Sequence, residues 1–297
     1  MINPAPSTLT GEHRTSRLAA MHQSLIQMGD LLGIDAGIFP AEVKAGRDHA
    51  DPFWREKQAA EKALYLAMQA AFAAQQKRIH DKIYFLATAV AHKSNPIDDA
   101  LNDEFWANEE FLLRGLLVDF YQRNAQRSIG LNNAWTQSKF GIVFDDTLTN
   151  ADAATWARKY AAKLVRQINQ TTRTYIREQV ATWIETPGAT LKDLMDTLPF
   201  GEARASRIAI TETTKAFSAG EQMFTEGLQG RYMGLKIVRI WSTNNDDRVC
   251  PICGALNGKQ IRAGKQFLFD GEYFGGPPAH VGCRCWSLSD IVLPGEK

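Results

Sequence analysis

The stretch Cys250-Pro251-Ile252-Cys253, followed by Pro277-Pro278-Ala279-His280-Val281-Gly282-Cys283-Arg284-Cys285, contains all four cysteines of this 297-residue chain. A Cys-x-x-Cys pair and a later His-x-x-Cys-x-Cys group have the spacing of a small metal site rather than of scattered disulfides. Structural zinc takes four Cys or His ligands in a tetrahedral arrangement. The two stretches therefore predict a small C-terminal unit stabilised by Zn2+.

Five side chains compete for the four ligand positions. We favour Cys250, Cys253, His280 and Cys283. Cys285 is the alternate fourth ligand, because residues two apart on an extended segment face the same side. A full set of protein ligands indicates a closed structural site rather than a catalytic one. Buried reduced thiols without a metal are the alternative.

Composition limits the class of protein. A hydrophobic content of 44% and a charged content of 23% are those of a soluble globular chain, and a net charge of +1 provides no global field for nucleic acid. The sequence shows neither a signal-peptide core nor an apolar run long enough to cross a membrane. We expect synthesis in the cytoplasm, where reducing conditions favour metal-bound thiolates over disulfides.

Hydrophobic periodicity predicts an α+β fold in which a mainly α-helical N-terminal body carries a small β-rich C-terminal unit. We expect a flexible segment at 1–14, the helical body at 15–188 and the C-terminal core at 189–297. A short extended piece is expected within 130–149 and a strand at 236–243. Helices are expected at 18–32, 53–93, 98–128, 152–185, 190–198 and 202–230.

Two stretches resemble a known family. Residues 241–258 read Trp-Ser-Thr-Asn-Asn-Asp-Asp-Arg-Val-Cys-Pro-Ile-Cys-Gly-Ala-Leu-Asn-Gly, and residues 277–285 complete the pattern. Together with the helix at 204–213 they resemble the phage Mu protein F-like family of minor head, or head morphogenesis, proteins over about residues 190–290. Ile210 stands where the family commonly has Arg. Beside the metal ligands, the family-motif residues are Arg204, Thr211, Glu212, Trp241, Asp247, Arg248, Gly258, Pro278 and Arg284.

The resemblance implies a structural virion component rather than an enzyme. Its implied partners are the portal protein and other capsid or scaffold proteins, with double-stranded DNA as a further candidate and neither a membrane nor a small-molecule substrate. Its implied location is the capsid interior or portal vertex, and the host cytoplasm during assembly. Its implied role is in head assembly and in DNA packaging or ejection.

Two other functions remain open from the residues. The C-terminal unit could be a DNA-binding module, because Lys236, Arg239, Lys259, Arg262, Lys265 and Arg284 make it locally basic. A metal-dependent enzyme is the third hypothesis. A zinc deaminase is disfavoured, because it needs His-x-Glu before its Cys-x-x-Cys pair.

Individual motif residues have predicted contacts. Trp241 should pack beneath the Cys-x-x-Cys turn, and Gly258 should close a hairpin after it. Asp247 could orient the turn through a bond to the backbone. Glu212 could accept from Arg248 or Arg284, or it could lie on an ordinary solvated helix face.

Overall fold

Long helices build the body of the protein. A computed structural model describes residues 50–89, 100–244 and 246–292. Helix α1 spans Trp54–Ala89, α2 spans Asp103–Phe140 and α3 spans Thr147–Glu185. The predicted flexible segment at 1–14 and the helix at 18–32 lie outside the described residues. No described helix has the length and apolar character needed to cross a membrane.

Helix α2 is longer than its sequence indicates. The extended piece expected within 130–149 is too long, because α2 continues through Gly130 to Phe140 and only residues 141–146 lie outside the helices. Its second half buries Ile129, Asn132 and Thr136, and this tertiary packing outweighs the weak helix propensity of glycine. The helix ends at Gly141, which adopts a left-handed conformation and donates its N–H to the carbonyl of Gln137.

Two further helices follow a short connection. Helix α4, Leu191–Thr197, starts with a capping box in which the Thr190 and Asp193 side chains each bond to the other's backbone N–H. Helix α5 spans Glu202–Arg231. Its small residues face α1, α2 and α3 in one core cluster, where Ala205, Ala209 and Ala216 are fully buried. Small side chains allow the helix backbones to approach closely.

The C-terminal region forms two small antiparallel sheets and a short helix. Strand β1, Lys236–Ser242, pairs with β2, Gln260–Arg262, on one side and with β5, Trp286–Val292, on the other. Strands β3, Phe267–Phe269, and β4, Glu272–Phe274, form a separate hairpin. Helix α6 spans Pro251–Leu256. The described structure therefore confirms the α+β class.

The sheet and the helical body share one hydrophobic cluster. Ile237 of β1 and Ile291 of β5 pack with Phe224 and Leu228 of α5, and the same cluster reaches Ile129 of α2. The described residues all belong to a single compact unit. The division at residue 188 stays a prediction, since α5 contacts both the body and the sheet.

Candidate metal centre

The first cysteine pair lies at the start of a helix. Cys250 is the N-cap of α6, and its Sγ accepts a hydrogen bond from the backbone N–H of Cys253 at 3.4 Å. Pro251 occupies the first turn, where its missing N–H costs nothing. The Cys-x-x-Cys motif thus becomes a helical N-terminus, where free N–H groups stabilise thiolate charge.

The second ligand group lies in a tight turn before β5. Cys283 donates its backbone N–H to the carbonyl of His280 at 3.3 Å. Gly282 between them has φ +81°, a conformation that strains any residue with a Cβ. His280 Nδ1 lies 2.9 Å from the carbonyl of Val281. A carbonyl only accepts, so Nδ1 carries the proton and the Nε2 lone pair is available as a ligand.

The two groups meet at Cys253. Its Sγ lies 3.4 Å from His280 Nε2 and 3.7 Å from Cys283 Sγ. Two sulfurs around tetrahedral zinc are roughly 3.8 Å apart and a sulfur and a nitrogen about 3.6 Å apart, from bond lengths near 2.3 and 2.0 Å. Both measured distances fit zinc geometry.

All five predicted ligands belong to this cluster. Within each of two triads, the ligand atoms lie within 4.8 Å of one another: Cys250, Cys253 and His280 form one, and Cys253, Cys283 and Cys285 form the other. Cys253 belongs to both. The geometry brings the five donors together and leaves the choice between His280 and Cys285 open.

The buried thiols compete for protons. Hydrogen bonds from Cys253 and then from Cys285 hold the pKa of Cys283 well below its usual range. The same interactions, together with burial, raise the pKa of Cys253. A bound cation would relieve this competition, because it stabilises all of its thiolate ligands at once. The donor chemistry therefore fits a zinc ion.

Aromatic side chains pack against the cysteines of the cluster. Trp241 is fully buried and packs in one hydrophobic cluster with Cys253, Cys283 and Cys285. Its ring meets that of Phe267 edge-on at 5.2 Å. The predicted position of Trp241 beneath the cysteine turn is confirmed.

Gly258 closes the connection from the metal centre back into the sheet. Its N–H donates to the carbonyl of Trp241 at 2.8 Å, and the N–H of Trp241 donates to the carbonyl of Lys259 at 3.0 Å. Its φ of +76° requires the conformational freedom of glycine. Gly258 connects α6 to β2, so the hairpin predicted after the cysteine turn is wrong: the partner of β2 is β1, which precedes that turn. The other predicted turn residue, Pro278, follows a cis peptide bond to Pro277.

Helix α5 holds the second ligand group by two hydroxyls. Thr211 Oγ1 accepts from the backbone N–H of Gly282 at 2.8 Å, and Thr214 Oγ1 donates to the carbonyl of Cys283 at 2.8 Å. Thr211 is a family-motif residue, whereas Thr214 was missed by sequence reasoning. Residues three apart lie on the same face of a helix, so the position of Thr211 could have predicted a similar contact for Thr214.

A buried ion pair joins the sheet to α5. Glu221 of α5 accepts hydrogen bonds from Arg239 Nε at 2.9 Å and Nη2 at 2.5 Å. Ser287 and Ser289 of β5 also donate to this carboxylate. Arg239 Nη1 reaches the carbonyl of Gly275 at 2.5 Å. These bonds fix β1, β5 and the loop before the His280 turn to one point on α5.

Sequence reasoning missed this pair and placed Arg239 on a basic surface. The placement is wrong: Arg239 is 0% exposed. Side chains alternate between the two faces of a strand, so Arg239 lies on the same face of β1 as Ile237 and Trp241. This alternation could have predicted from the sequence that Arg239 is buried.

Arg284 was also expected on the basic surface of the C-terminal unit, but it is buried and pairs with Asp246 at 2.7 Å. Asp246 also accepts from the backbone N–H of Arg248 at 3.2 Å. The orienting carboxylate is therefore Asp246 rather than the expected Asp247, which is exposed together with Arg248.

Glu212 and Arg204 connect helices of the body. The Glu212 carboxylate accepts from Tyr121 at 2.7 Å and from Tyr160 at 3.2 Å, so these tyrosines take the place expected for Arg248 or Arg284. Arg204 donates to the carbonyls of Pro199 and Ile168. Both motif residues thus position α5, the helix that carries Thr211 and Thr214.

The fold and the site define an α+β protein whose C-terminal unit carries a Cys/His cluster of the metal-binding kind. The family model described as "Phage Mu protein F like protein" matches residues 182–288, from the end of α3 into β5. This match confirms the resemblance over the C-terminal core. It points to a phage head morphogenesis protein and hence to a virion component. No curated protein and no solved structure matches the chain.

Proposed function

We propose that this chain is a minor head protein that acts near the portal vertex of a phage or prophage, in head assembly and in packaging or ejection of DNA. The family match over residues 182–288 carries the proposal. The proposed role is structural, with the portal protein and other capsid or scaffold proteins as partners. It includes neither a catalytic step nor a small-molecule substrate.

We also propose that Zn2+ is a structural component of the C-terminal core. Cys250, Cys253, His280 and Cys283 would hold it, with Cys285 as the alternate to His280. The ion would supply a tetrahedral crosslink between α6 and the turn before β5. A unit with short strands gains folding free energy from such a crosslink. The distances at Cys253 support this assignment.

Elemental analysis tests the zinc proposal. Protein purified under reducing conditions should contain about one zinc ion per chain. Cys253→Ser should lose the ion, because Cys253 belongs to both triads. The helical circular dichroism should remain largely intact, since the body has its own core. Less than about half an equivalent of zinc in the parent protein would refute the proposal.

Single substitutions identify the fourth ligand. His280→Asn and Cys285→Ser should be compared for retained zinc at equal protein concentration. If His280 is the ligand, His280→Asn loses zinc and Cys285→Ser keeps it. The reverse result assigns Cys285. Retention in both variants would show that the two side chains can replace each other, and the double variant His280→Asn with Cys285→Ser should then lose the ion. Zinc retained by the double variant would contradict a four-ligand site.

Particle composition tests the assembly role. A portal protein from the same genome should be co-expressed with this chain, and the portal ring should retain the chain during purification. Purified heads should contain the chain in fewer copies than the major capsid protein. Absence from both the rings and the heads would refute the proposal, whatever the zinc content.

A further inference from the structure

One face of α3 carries a row of cations. Lys159, Lys163, Arg166, Arg173 and Arg177 are separated by four, three, seven and four residues. With Gln170 filling the long interval, this spacing keeps every side chain on the same face of a helix. No Asp or Glu occurs from residue 153 to residue 177. These five cations form the α3 cationic row.

The row faces solvent. Ala157, Ala161 and Val165, on the other side of α3, are 0% exposed and fix its orientation. Lys159, Lys163, Arg166 and Arg177 are exposed, and Arg173 is half-buried. From Lys159 to Arg177 the helix rises about 27 Å, at 1.5 Å for each of the 18 steps between them. The row is therefore a long, straight surface feature.

Neighbouring charges cancel only one end of the row. Arg173 pairs with Asp103 of α2 at 2.8 Å, and Glu110 lines the same groove as Arg166. On the other side, the α5 cation Lys215 lies close enough to Lys163 for their charges to interact. The half that begins at Lys159 thus keeps a positive field, although the whole chain has a net charge of only +1.

Such a row is unfavourable for an isolated helix. Like charges four residues apart, as at Lys159 and Lys163 and again at Arg173 and Arg177, destabilise a helix. A surface helix without a partner gains stability from acidic residues at these spacings instead. The pattern is consistent with an anionic partner whose binding offsets the repulsion.

We propose that the α3 cationic row binds the phosphate backbone of double-stranded DNA without sequence preference. A length of about 27 Å matches roughly eight base pairs at 3.4 Å each. Lys and Arg supply charge, and the interleaved side chains of Gln170 and Thr174 supply uncharged donors to phosphate. The proposed DNA contact thus lies on the helical body rather than on the C-terminal unit.

The α3 cationic row would be the surface of the proposed head protein that meets packaged DNA. Only the origin of the DNA, the packaged genome, rests on the proposed function. Binding itself is a property of α3. Failure of DNA binding would leave portal association and virion incorporation untouched, because those are measured in separate assays.

Fluorescence anisotropy with the full chain and a 30-base-pair duplex of arbitrary sequence provides the test. The test variant is Lys159→Gln with Lys163→Gln and Arg166→Gln. The matched control replaces exposed cations of the C-terminal unit, Lys236, Arg262 and Lys265, by Gln, so both proteins lose the same charge. Circular dichroism checks that both retain their helices.

The parent should bind at low salt with a negative slope of log K against log salt. In the α3 variant this slope should become less steep by about 2.7, from about 0.9 for each of three lost phosphate contacts. At about 50 mM salt its affinity should fall by on the order of 30-fold or more. The control should change little. Equal loss in both variants, or no binding by the parent at low salt, would overturn the proposal. Equally tight binding of polyglutamate would overturn it in favour of an acidic protein partner.

Discussion

Replacing Arg239 by Met should strongly destabilise the junction between the sheet and α5. The guanidinium is 0% exposed and gives Glu221 two hydrogen bonds, at 2.9 and 2.5 Å. Met fills a similar volume but leaves the carboxylate buried without its cation. Removing one partner of a buried pair costs about 3–5 kcal/mol of unfolding free energy.

The cost should depend on pH in a defined direction. Burial opposes ionisation of Glu221, but the charge and hydrogen bonds of Arg239 hold the pKa of this carboxyl below its usual range. Because the pKa is lowered by folding, the ionised carboxylate stabilises the parent protein at pH values above the usual pKa of Glu. This stabilisation is lost as pH falls through the lowered pKa. Without Arg239, burial alone should raise the pKa, so the variant loses stability as pH rises. The destabilisation should therefore be larger at about pH 8 than at about pH 5.5.

Urea unfolding at both pH values measures the effect. The double variant Arg239→Met with Glu221→Leu is the control, because replacing both charges by apolar groups is often neutral or stabilising. It should recover much of the stability lost by Arg239→Met alone. A single-variant cost below about 1 kcal/mol, the value of an exposed pair, would refute the assignment of a buried network.

Three further changes test the packing around α5. Thr214→Val should cost about 1–3 kcal/mol of unfolding free energy, because the carbonyl of Cys283 loses its hydroxyl donor; chemical denaturation measures it. Gly220→Ala should cost about 1–3 kcal/mol of unfolding free energy, because the added Cβ meets the backbone of α2. Gly130→Ala has open space around the added Cβ and should stabilise the protein by about 0.5–1 kcal/mol. The melting temperatures of the two variants should therefore move in opposite directions. Burial raises the pKa of Glu212, so the contribution of this carboxyl to stability falls as pH rises. Glu212→Gln should therefore gain stability relative to the parent between about pH 5 and pH 8. If urea titrations give the same difference in unfolding free energy between variant and parent at both pH values, the reasoning is contradicted.

The candidate metal centre was largely predictable from local sequence. Cysteine and histidine spacing indicates the chemistry of a site whatever the surrounding fold, because the ligands must come from tight turns. Cys253 and His280 therefore meet as expected, at 3.4 Å. The identity of the fourth ligand was not predictable, since it depends on how the turn before β5 is oriented against α5.

Local patterns also predicted most of the fold. The strand at 236–243 and the helix at 202–230 agree with β1 and α5 within a residue. The error within 130–149 came from treating Gly130 as a helix end. A glycine lowers helix propensity by only about 1 kcal/mol, which buried neighbours such as Ile129 can outweigh.

The α+β class, the Cys/His cluster and the family resemblance were all predictable, because each rests on short-range spacing. Which charged residues are buried depends instead on tertiary packing. Arg239 and Lys159 are both cations on regular elements, but one lies inside against Glu221 and the other faces solvent. Their environments depend on helices and strands distant in the chain. For that reason two of the six cations expected on the surface of the C-terminal unit, Arg239 and Arg284, lie inside the protein.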